Sequence, residues 1–138
     1  MATKNQQSGN QLLSELKEAT KDLLFMSESD YPFEVFRWDK EREITPDVLR
    51  KVAGKGADDP VEERSVDEFF KQAVAMQDWH GNDEKVTAQK YQALVKLLKE
   101  RLTDLKVYRV GSVNITVFIL GKDQAGDWVG LSTQVVET

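Results

Sequence analysis

Apolar residues recur with a helical period in two parts of this chain. Near the start they stand at offsets of four, seven and eleven, as Leu12, Leu16, Ala19 and Leu23. Further on they stand at offsets of 3, 4, 7, 11 and 14, as Tyr91, Leu94, Val95, Leu98, Leu102 and Leu105. The two patterns predict a first helix over residues 10–25 and a longer helix over 83–105, with Asn82 as the N-cap of the longer one.

Capping residues mark two shorter helices between them. Thr45-Pro46 resembles an N-cap followed by proline at the first helical position, and Gly54 stands where a C-terminal glycine belongs, which predicts a helix over 47–52. Ser65-Val66-Asp67-Glu68 is a capping box and predicts a helix that ends near Val74.

Strand periodicity appears before these helices and again after residue 105. Residues 33–38 alternate in the manner of a strand, and three further strands are predicted over 107–110, 113–120 and 128–136. Residues 111–112 and 122–127 supply the turns between them. The second of these three strands is apolar on one face, through Val113, Ile115, Val117 and Ile119, and also on the other, through Phe118 and Leu120. A strand of this kind is buried between two layers.

Length, charge and residue usage narrow the functional classes. The 138 residues suit one domain over 10–138, preceded by a flexible tail over 1–9. The net charge of −5 disfavours direct binding of nucleic acid, which needs a basic surface, and favours basic protein partners. Cysteine is absent, no apolar run approaches the roughly 18 residues of a membrane span, and the start is too polar for a signal peptide. We therefore expect a cytoplasmic protein with no membrane segment.

The residue inventory offers little support for catalysis or for a metal site. His80 is the single histidine, and adjacent carboxylates such as Asp83 and Glu84 are typical of helix starts. His80 with Asp78 and Asp83 is the nearest approach to a ligand cluster, and it is a weak one. We expect no enzymatic activity and no cofactor.

Three short segments are candidates for contact with a partner. Ser27-Glu28-Ser29 lies between two apolar runs that should hold the Glu28 carboxylate in one place, although composition alone favours an ordinary surface or capping role. Trp79 lies in a predicted loop and suits a core position as well as an exposed contact. Strand-forming residues continue to the C-terminus, so that the Thr138 hydroxyl and the terminal carboxylate would be presented at the end of a strand, unless the chain simply stops there.

An ordered set of motifs closely resembles the nuclease A inhibitor family. The resemblance runs from about residue 11 to the last residue, and no single motif carries it alone. Its members, in order, are Leu23-Leu24-Phe25-Met26-Ser27-Glu28-Ser29, Tyr31-Pro32-Phe33-Glu34-Val35-Phe36, Gln77-Asp78-Trp79, Val107-Tyr108-Arg109, Ser132-Thr133 and Val135-Val136-Glu137-Thr138.

The resemblance implies both a fold and an activity. The implied fold class is α+β, an α/β/α sandwich with a central, largely antiparallel sheet and a C-terminal β-meander. The implied activity is inhibition of a non-specific, Mg-dependent DNA and RNA endonuclease of the ββα-metal type, by a protein that is a monomer when free.

By position, the resemblance also implies roles for particular residues. Glu28 would enter the nuclease active site toward the metal-bound water and a catalytic arginine, and Thr138 would reach the Mg of the partner nuclease, the one metal contact expected. Trp79 would form part of the contact surface, and Ser27, Ser29 and Glu137 complete the predicted partner-binding set. The alternative is a protein-interaction domain on the same scaffold whose partner is not a nuclease.

Overall fold

Helices and strands alternate along the described part of the chain. The structure is a computed structural model and describes residues 2–26, 30–75 and 81–137. The helices in this part are α1 (Ala2–Thr20), α2 (Pro46–Ala53), α3 (Val66–Val74) and α4 (Asn82–Arg101). The strands are β1 (Leu24–Met26), β2 (Asp30–Pro32), β3 (Glu34–Trp38), β4 (Val61–Arg64), β5 (Thr103–Val110), β6 (Asn114–Lys122) and β7 (Trp128–Val136).

Five of these strands form the main sheet. Their order is β3-β7-β6-β5-β4, and every neighbouring pair is antiparallel. β5, β6 and β7 follow one another as a C-terminal meander, and β1 with β2 forms a separate antiparallel pair. The prediction of a central antiparallel sheet with a C-terminal meander is confirmed.

The sheet is buried on both faces by different helices. On one face the β6 residues Ile115, Val117 and Ile119 join a core that includes residues of α1, α3 and α4, among them Leu16, Phe70, Leu94 and Leu98. On the other face Phe118 and Leu120 pack with Leu49 of α2. The predicted burial of β6 between two layers is confirmed, and the fold is the α+β, α/β/α arrangement expected.

The two cap-based helix predictions are confirmed at their starts. Thr45 Oγ1 accepts a hydrogen bond from the Val48 N–H at 3.2 Å, and Ser65 Oγ accepts one from the Glu68 N–H at 3.1 Å. Gly54 ends α2 in the left-handed region at φ 70°. Each of these interactions depends on residues three or four apart, which is why a sequence pattern could predict them.

The first helix ends earlier than predicted. α1 stops at Thr20, whose Oγ1 donates to the Leu16 carbonyl at 2.8 Å, and Leu24–Met26 are a strand rather than the last turn of a helix. Leu23 is buried beyond the helix, so its place in the apolar period reflects burial alone. At the other end α1 begins at Ala2, and it therefore includes most of the segment for which the sequence predicts a flexible tail.

The last helix is also shorter than predicted. α4 ends at Arg101, and Leu102 is its C-cap in an extended conformation. Leu105 belongs to β5, beside an irregularity in register between Thr103 and Lys106. The predicted N-cap, Asn82, is the first residue of the helix, and Gly81 occupies the cap position without a side-chain hydrogen bond. β4 was not predicted, because its sequence Val-Glu-Glu-Arg carries no apolar alternation.

None of the helices in the described ranges is long and apolar enough to cross a membrane.

Candidate protein-binding site

Most of the predicted partner-binding residues lie outside the described residues. These are Ser27, Glu28, Ser29, Trp79 and Thr138. Asp78 and His80 of the weak metal candidate also lie outside the described residues. Glu137 is described. The described residues that flank each predicted segment therefore define the candidate site.

The flanks of Glu28 are held by three different parts of the fold. β1 and β2 pair antiparallel, with Met26 opposite Asp30 on either side of residues 27–29. The Tyr91 hydroxyl of α4 donates to the Leu24 carbonyl at 2.7 Å, and the Phe25 ring stacks on Phe69 of α3 with centroids 4.5 Å apart. An aromatic stack and a hydrogen bond at the base fix the position of the β1–β2 pair against the helices.

A buried threonine connects the β1–β2 pair to the main sheet. The Thr133 hydroxyl of β7 is 3% exposed and donates to the Pro32 carbonyl at 3.0 Å. In the antiparallel pairing of β3 with β7, Glu34 stands opposite Ser132. The chain that precedes Glu34 therefore runs alongside the C-terminal part of β7, which places Pro32 at the end of the sheet where β7 finishes.

The flanks of Trp79 lie toward the same end. α3 ends at Val74, whose carbonyl accepts a hydrogen bond from the Gln92 side-chain amide at 2.8 Å. The neighbouring residue on α4, Tyr91, contacts Leu24, so that the C-terminus of α3 and the N-terminal half of α4 stand beside the β1–β2 pair. We call this end of the domain, marked by Leu24, Pro32, Val74 and Glu137, the hairpin end.

Glu137, the last described residue, is held at the hairpin end by both its backbone and its side chain. Its N–H donates to the Val113 carbonyl at 2.9 Å, and its Oε1 lies 2.6 Å from an Arg109 guanidinium nitrogen. The carboxylate is still about half exposed, whereas the Arg109 side chain is 16% exposed. The chain thus keeps a defined path past the end of β7.

Apolar side chains are exposed toward this end as well. Leu24 at the base of the β1–β2 pair, Val86 in the second turn of α4 and Val113 beside Glu137 are each 46–49% exposed. Val52 is 42% exposed near the end of α2, where Lys55 Nζ donates to the Asn114 carbonyl. Leu24 and Val113 thus add exposed apolar surface at the β1–β2 pair and beside Glu137.

Two features of the hairpin end were missed by reasoning from the sequence. Strand alternation assigns Val113 to the buried face of β6, but it precedes the strand and is exposed. Arg109 interrupts an otherwise apolar end of β5, and a charged residue at such a position was the signal that could have identified it. Its partner, Glu137, is remote in the sequence and is brought close only by the sheet.

An ion pair that shifts a carboxyl pKa lies at the opposite end of the sheet. Asp127 precedes β7, and the hydrogen bond from the Arg37 guanidinium holds the pKa of its carboxyl below the ordinary value. Burial raises the pKa of the Tyr108 phenol on β5. Across residues 2–26, 30–75 and 81–137, no group of three or more His, Asp or Glu side chains could hold a metal ion.

Comparison with known proteins bears on the same residues. No curated protein matches the chain. A family model described as nuclease A inhibitor-like protein matches residues 10–138, which include Glu28, Trp79 and Thr138 and leave out only the first nine positions. On this match, the chain belongs to the nuclease A inhibitor-like family.

Proposed function

We propose that this protein inhibits a non-specific, Mg-dependent DNA and RNA endonuclease of the ββα-metal type by occupying its active site with Glu28 and Thr138. Membership of the nuclease A inhibitor-like family, over residues 10–138, is the observation that carries the proposal. The protein would act by binding, without catalysis of its own.

The arrangement of the hairpin end supports the use of several segments at once. The described flanks of Glu28, of Trp79 and of Thr138 all lie at this end, on β1 and β2, on α3 and α4, and beyond β7. The exposed side chains of Leu24, Val86 and Val113 add apolar area around them. A binding surface that joins an apolar region to a few charged groups is the usual composition of a specific protein interface.

The chemistry of Glu28 and Thr138 suits a nuclease active site. A carboxylate at Glu28 can form a charge-assisted pair with an arginine that otherwise binds the substrate phosphate. Mg²⁺ takes oxygen ligands and usually keeps several waters, so the Thr138 hydroxyl or the terminal carboxylate can replace one of them. The net charge of −5 would favour approach to the basic groove of such an enzyme.

The remaining predicted contacts complete the proposed interface. Ser27 and Ser29 would hydrogen-bond beside Glu28, Trp79 would supply apolar contact area, and Glu137 would lie at its edge. We further propose that the free protein is a monomer and that it acts in the cytoplasm, in line with a sequence that has no cysteine.

A titration tests the proposal directly. The protein is added in increasing amounts to ββα-metal nucleases with Mg²⁺ and a DNA substrate, and cleavage is expected to stop at a stoichiometric ratio. A set of such nucleases that all keep full activity would overturn the proposal. It would favour a protein-interaction domain with a different partner.

Variants then test the proposed roles of Glu28 and Thr138. Glu28→Ala should weaken inhibition by roughly 30- to 5,000-fold, which corresponds to the 2–5 kcal/mol expected for a buried, paired interfacial charge. Glu41→Ala is the matched control, because Glu41 is an exposed loop carboxylate that follows β3 at the opposite end of the sheet. Deletion of Thr138, or extension of the chain by two glycines, should also weaken inhibition while the thermal unfolding transition is unchanged. Equal potency of the extended and natural chains would exclude metal capture by Thr138.

A further inference from the structure

We propose that Arg109 is a positioning residue for Glu137: it holds the Glu137 carboxylate in the orientation required for inhibition. This inference rests on the function proposed above and adds to it a residue that does not touch the nuclease. It depends on four observations about the described part of the chain.

The first observation is the span of the Arg109–Glu137 ion pair across the sheet. Arg109 on β5 stands opposite Val117 on β6, which in turn stands opposite Thr133 on β7. Glu137 lies beyond the end of β7, on the far side of β6. The 2.6 Å contact therefore requires the Arg109 side chain to cross β6, and it ties the third strand of the meander to the first.

The second observation is the backbone hydrogen bond at the same residue. β7 ends at Val136, but the Glu137 N–H donates to the Val113 carbonyl at 2.9 Å. Chain ends fray unless they are held by interactions with the rest of the domain. Glu137 is held on both its main chain and its side chain, so its position is defined beyond the end of β7.

The third observation is the burial of the guanidinium. The Arg109 side chain is 16% exposed, and its Nε is buried without a hydrogen-bond partner among the described residues. A buried donor without a partner destabilises a fold, and such groups are few in native proteins. The guanidinium is thus enclosed by the fold, and its observed pairing is with Glu137.

The fourth observation is the surrounding core. Val107 and Val117 are fully buried, and Ile115 is 3% exposed. An apolar side chain at position 109 would extend this core without any buried polar atom. The guanidinium at this position pairs with the Glu137 carboxylate.

The test separates order at the C-terminus from inhibition. Arg109→Met keeps the aliphatic length and removes the guanidinium, and Glu137→Gln keeps the shape and removes the charge. The exchange rate of the Glu137 amide, measured by NMR, should rise about tenfold or more in both variants. Arg109→Lys should give intermediate values, because lysine keeps the charge but lacks the planar fork of arginine.

Inhibition of the nuclease should weaken by about tenfold or more in the same variants. The double variant Arg109→Met, Glu137→Gln should be no weaker than the weaker single variant, because both remove the same ion pair. Arg37→Met is the matched control, since Arg37 also pairs with a carboxylate, Asp127, at the opposite end of the sheet. It should leave both the exchange of the Glu137 amide and the inhibition unchanged.

Two results would overturn the inference while the proposed function stands. One is unchanged exchange of the Glu137 amide in both single variants, and the other is faster exchange with full inhibitory potency. If the natural protein inhibits no nuclease, the proposed function fails and the inhibitory role of Arg109 fails with it. Were Arg109→Met unable to fold, Glu137→Gln would decide the question, because that carboxylate is half exposed.

Discussion

Removal of one buried hydroxyl should loosen the β1–β2 pair without a change in packing. Thr133 is 3% exposed, and its Oγ1 donates to the Pro32 carbonyl at 3.0 Å. Thr133→Val keeps the branched shape and deletes that donor. The Pro32 carbonyl would lose its contact with β7, and β2 would be held to the main sheet less firmly.

The expected size of the effect follows from this geometry. No cavity is created, so the loss is confined to the hydrogen bond with the Pro32 carbonyl, which is left unsatisfied, and to a longer one with the Tyr31 carbonyl at 3.5 Å. Such a loss costs about 1–2 kcal/mol of unfolding free energy. For a domain of this length that corresponds to a fall in Tm of roughly 4–8 °C.

The same substitution at Thr116 is the control. Thr116 is also buried on the main sheet, at 5% exposure, but its hydroxyl donates to the side chain of Gln134 at 3.0 Å. Gln134 is only partly buried and can bond to water instead, so Thr116→Val should cost less than half as much.

The assay combines urea unfolding with amide hydrogen exchange. Thr133→Val should raise exchange in residues 24–32 selectively, and it should also weaken nuclease inhibition if Glu28 acts as proposed. Thr116→Val should leave exchange in residues 24–32 unchanged. Equal destabilisation by the two substitutions, or unaltered exchange of residues 24–32 in Thr133→Val, would refute the anchoring role of this hydroxyl.

Two further predictions concern the main sheet. A Cβ at Gly130 would lie 1.9 Å from the Ile119 carbonyl oxygen, so Gly130→Ala should lower the unfolding free energy in urea by about 3 kcal/mol. A Cβ at Gly56 has its nearest contact at 3.7 Å, so Gly56→Ala should change the unfolding free energy by less than about 0.5 kcal/mol. Similar losses in the two variants would contradict the close approach at Gly130. The hydrogen bond from Arg37 lowers the folded-state pKa of Asp127. The resulting stabilisation is therefore present above the unfolded pKa of about 3.9 and is lost as the pH falls through the folded pKa. Asp127→Asn should be less stable than the natural protein at pH 7, and the difference in unfolding free energy should shrink as the pH is lowered toward 2. A stability difference that does not change with pH would contradict that assignment.

The parts of the fold that the sequence predicted depend on short-range contacts. Thr45 and Ser65 cap their helices through backbone groups three residues away, and these helices are correct to within one or two residues. β6 is predicted because its apolar residues have the strand period on two faces. In each case the relevant neighbours lie within one turn or along one strand.

The errors arise where tertiary contacts outweigh a local pattern. Leu24 and Phe25 were predicted to end the first helix, but the Tyr91 hydroxyl and the Phe69 ring hold them in a strand. Leu102 is spaced for α4 and is buried, yet its backbone is extended and leads into β5. β4 is a charged edge strand, and its pairing with β5 supplies the order that its side chains do not predict.

The candidate site follows the same division. Residue patterns alone identified Glu28, Trp79 and Thr138 as possible contacts, and the resemblance to a family assigned roles to them. Residue patterns could not show that the described flanks of these segments lie at one end of the domain. That placement depends on the pairing of β3 with β7 and on the packing of α4. The pairing of Arg109 with Glu137 could not be predicted for the same reason.

If the protein inhibits a nuclease as proposed, the contacts that hold the hairpin end would reduce the entropy lost on binding. The Tyr91 hydroxyl holds Leu24, the Thr133 hydroxyl holds Pro32, and the Arg109 guanidinium holds Glu137. Each anchor joins a flank of a candidate segment to a buried part of the fold, so the entropy of ordering these flanks is lost on folding and not on binding. Loss of an anchor should therefore weaken inhibition more than its effect on global stability suggests, whereas a substitution such as Asp127→Asn at the opposite end should lower stability and leave inhibition intact. Measurement of both quantities for each variant separates preorganisation of the hairpin end from general loss of structure.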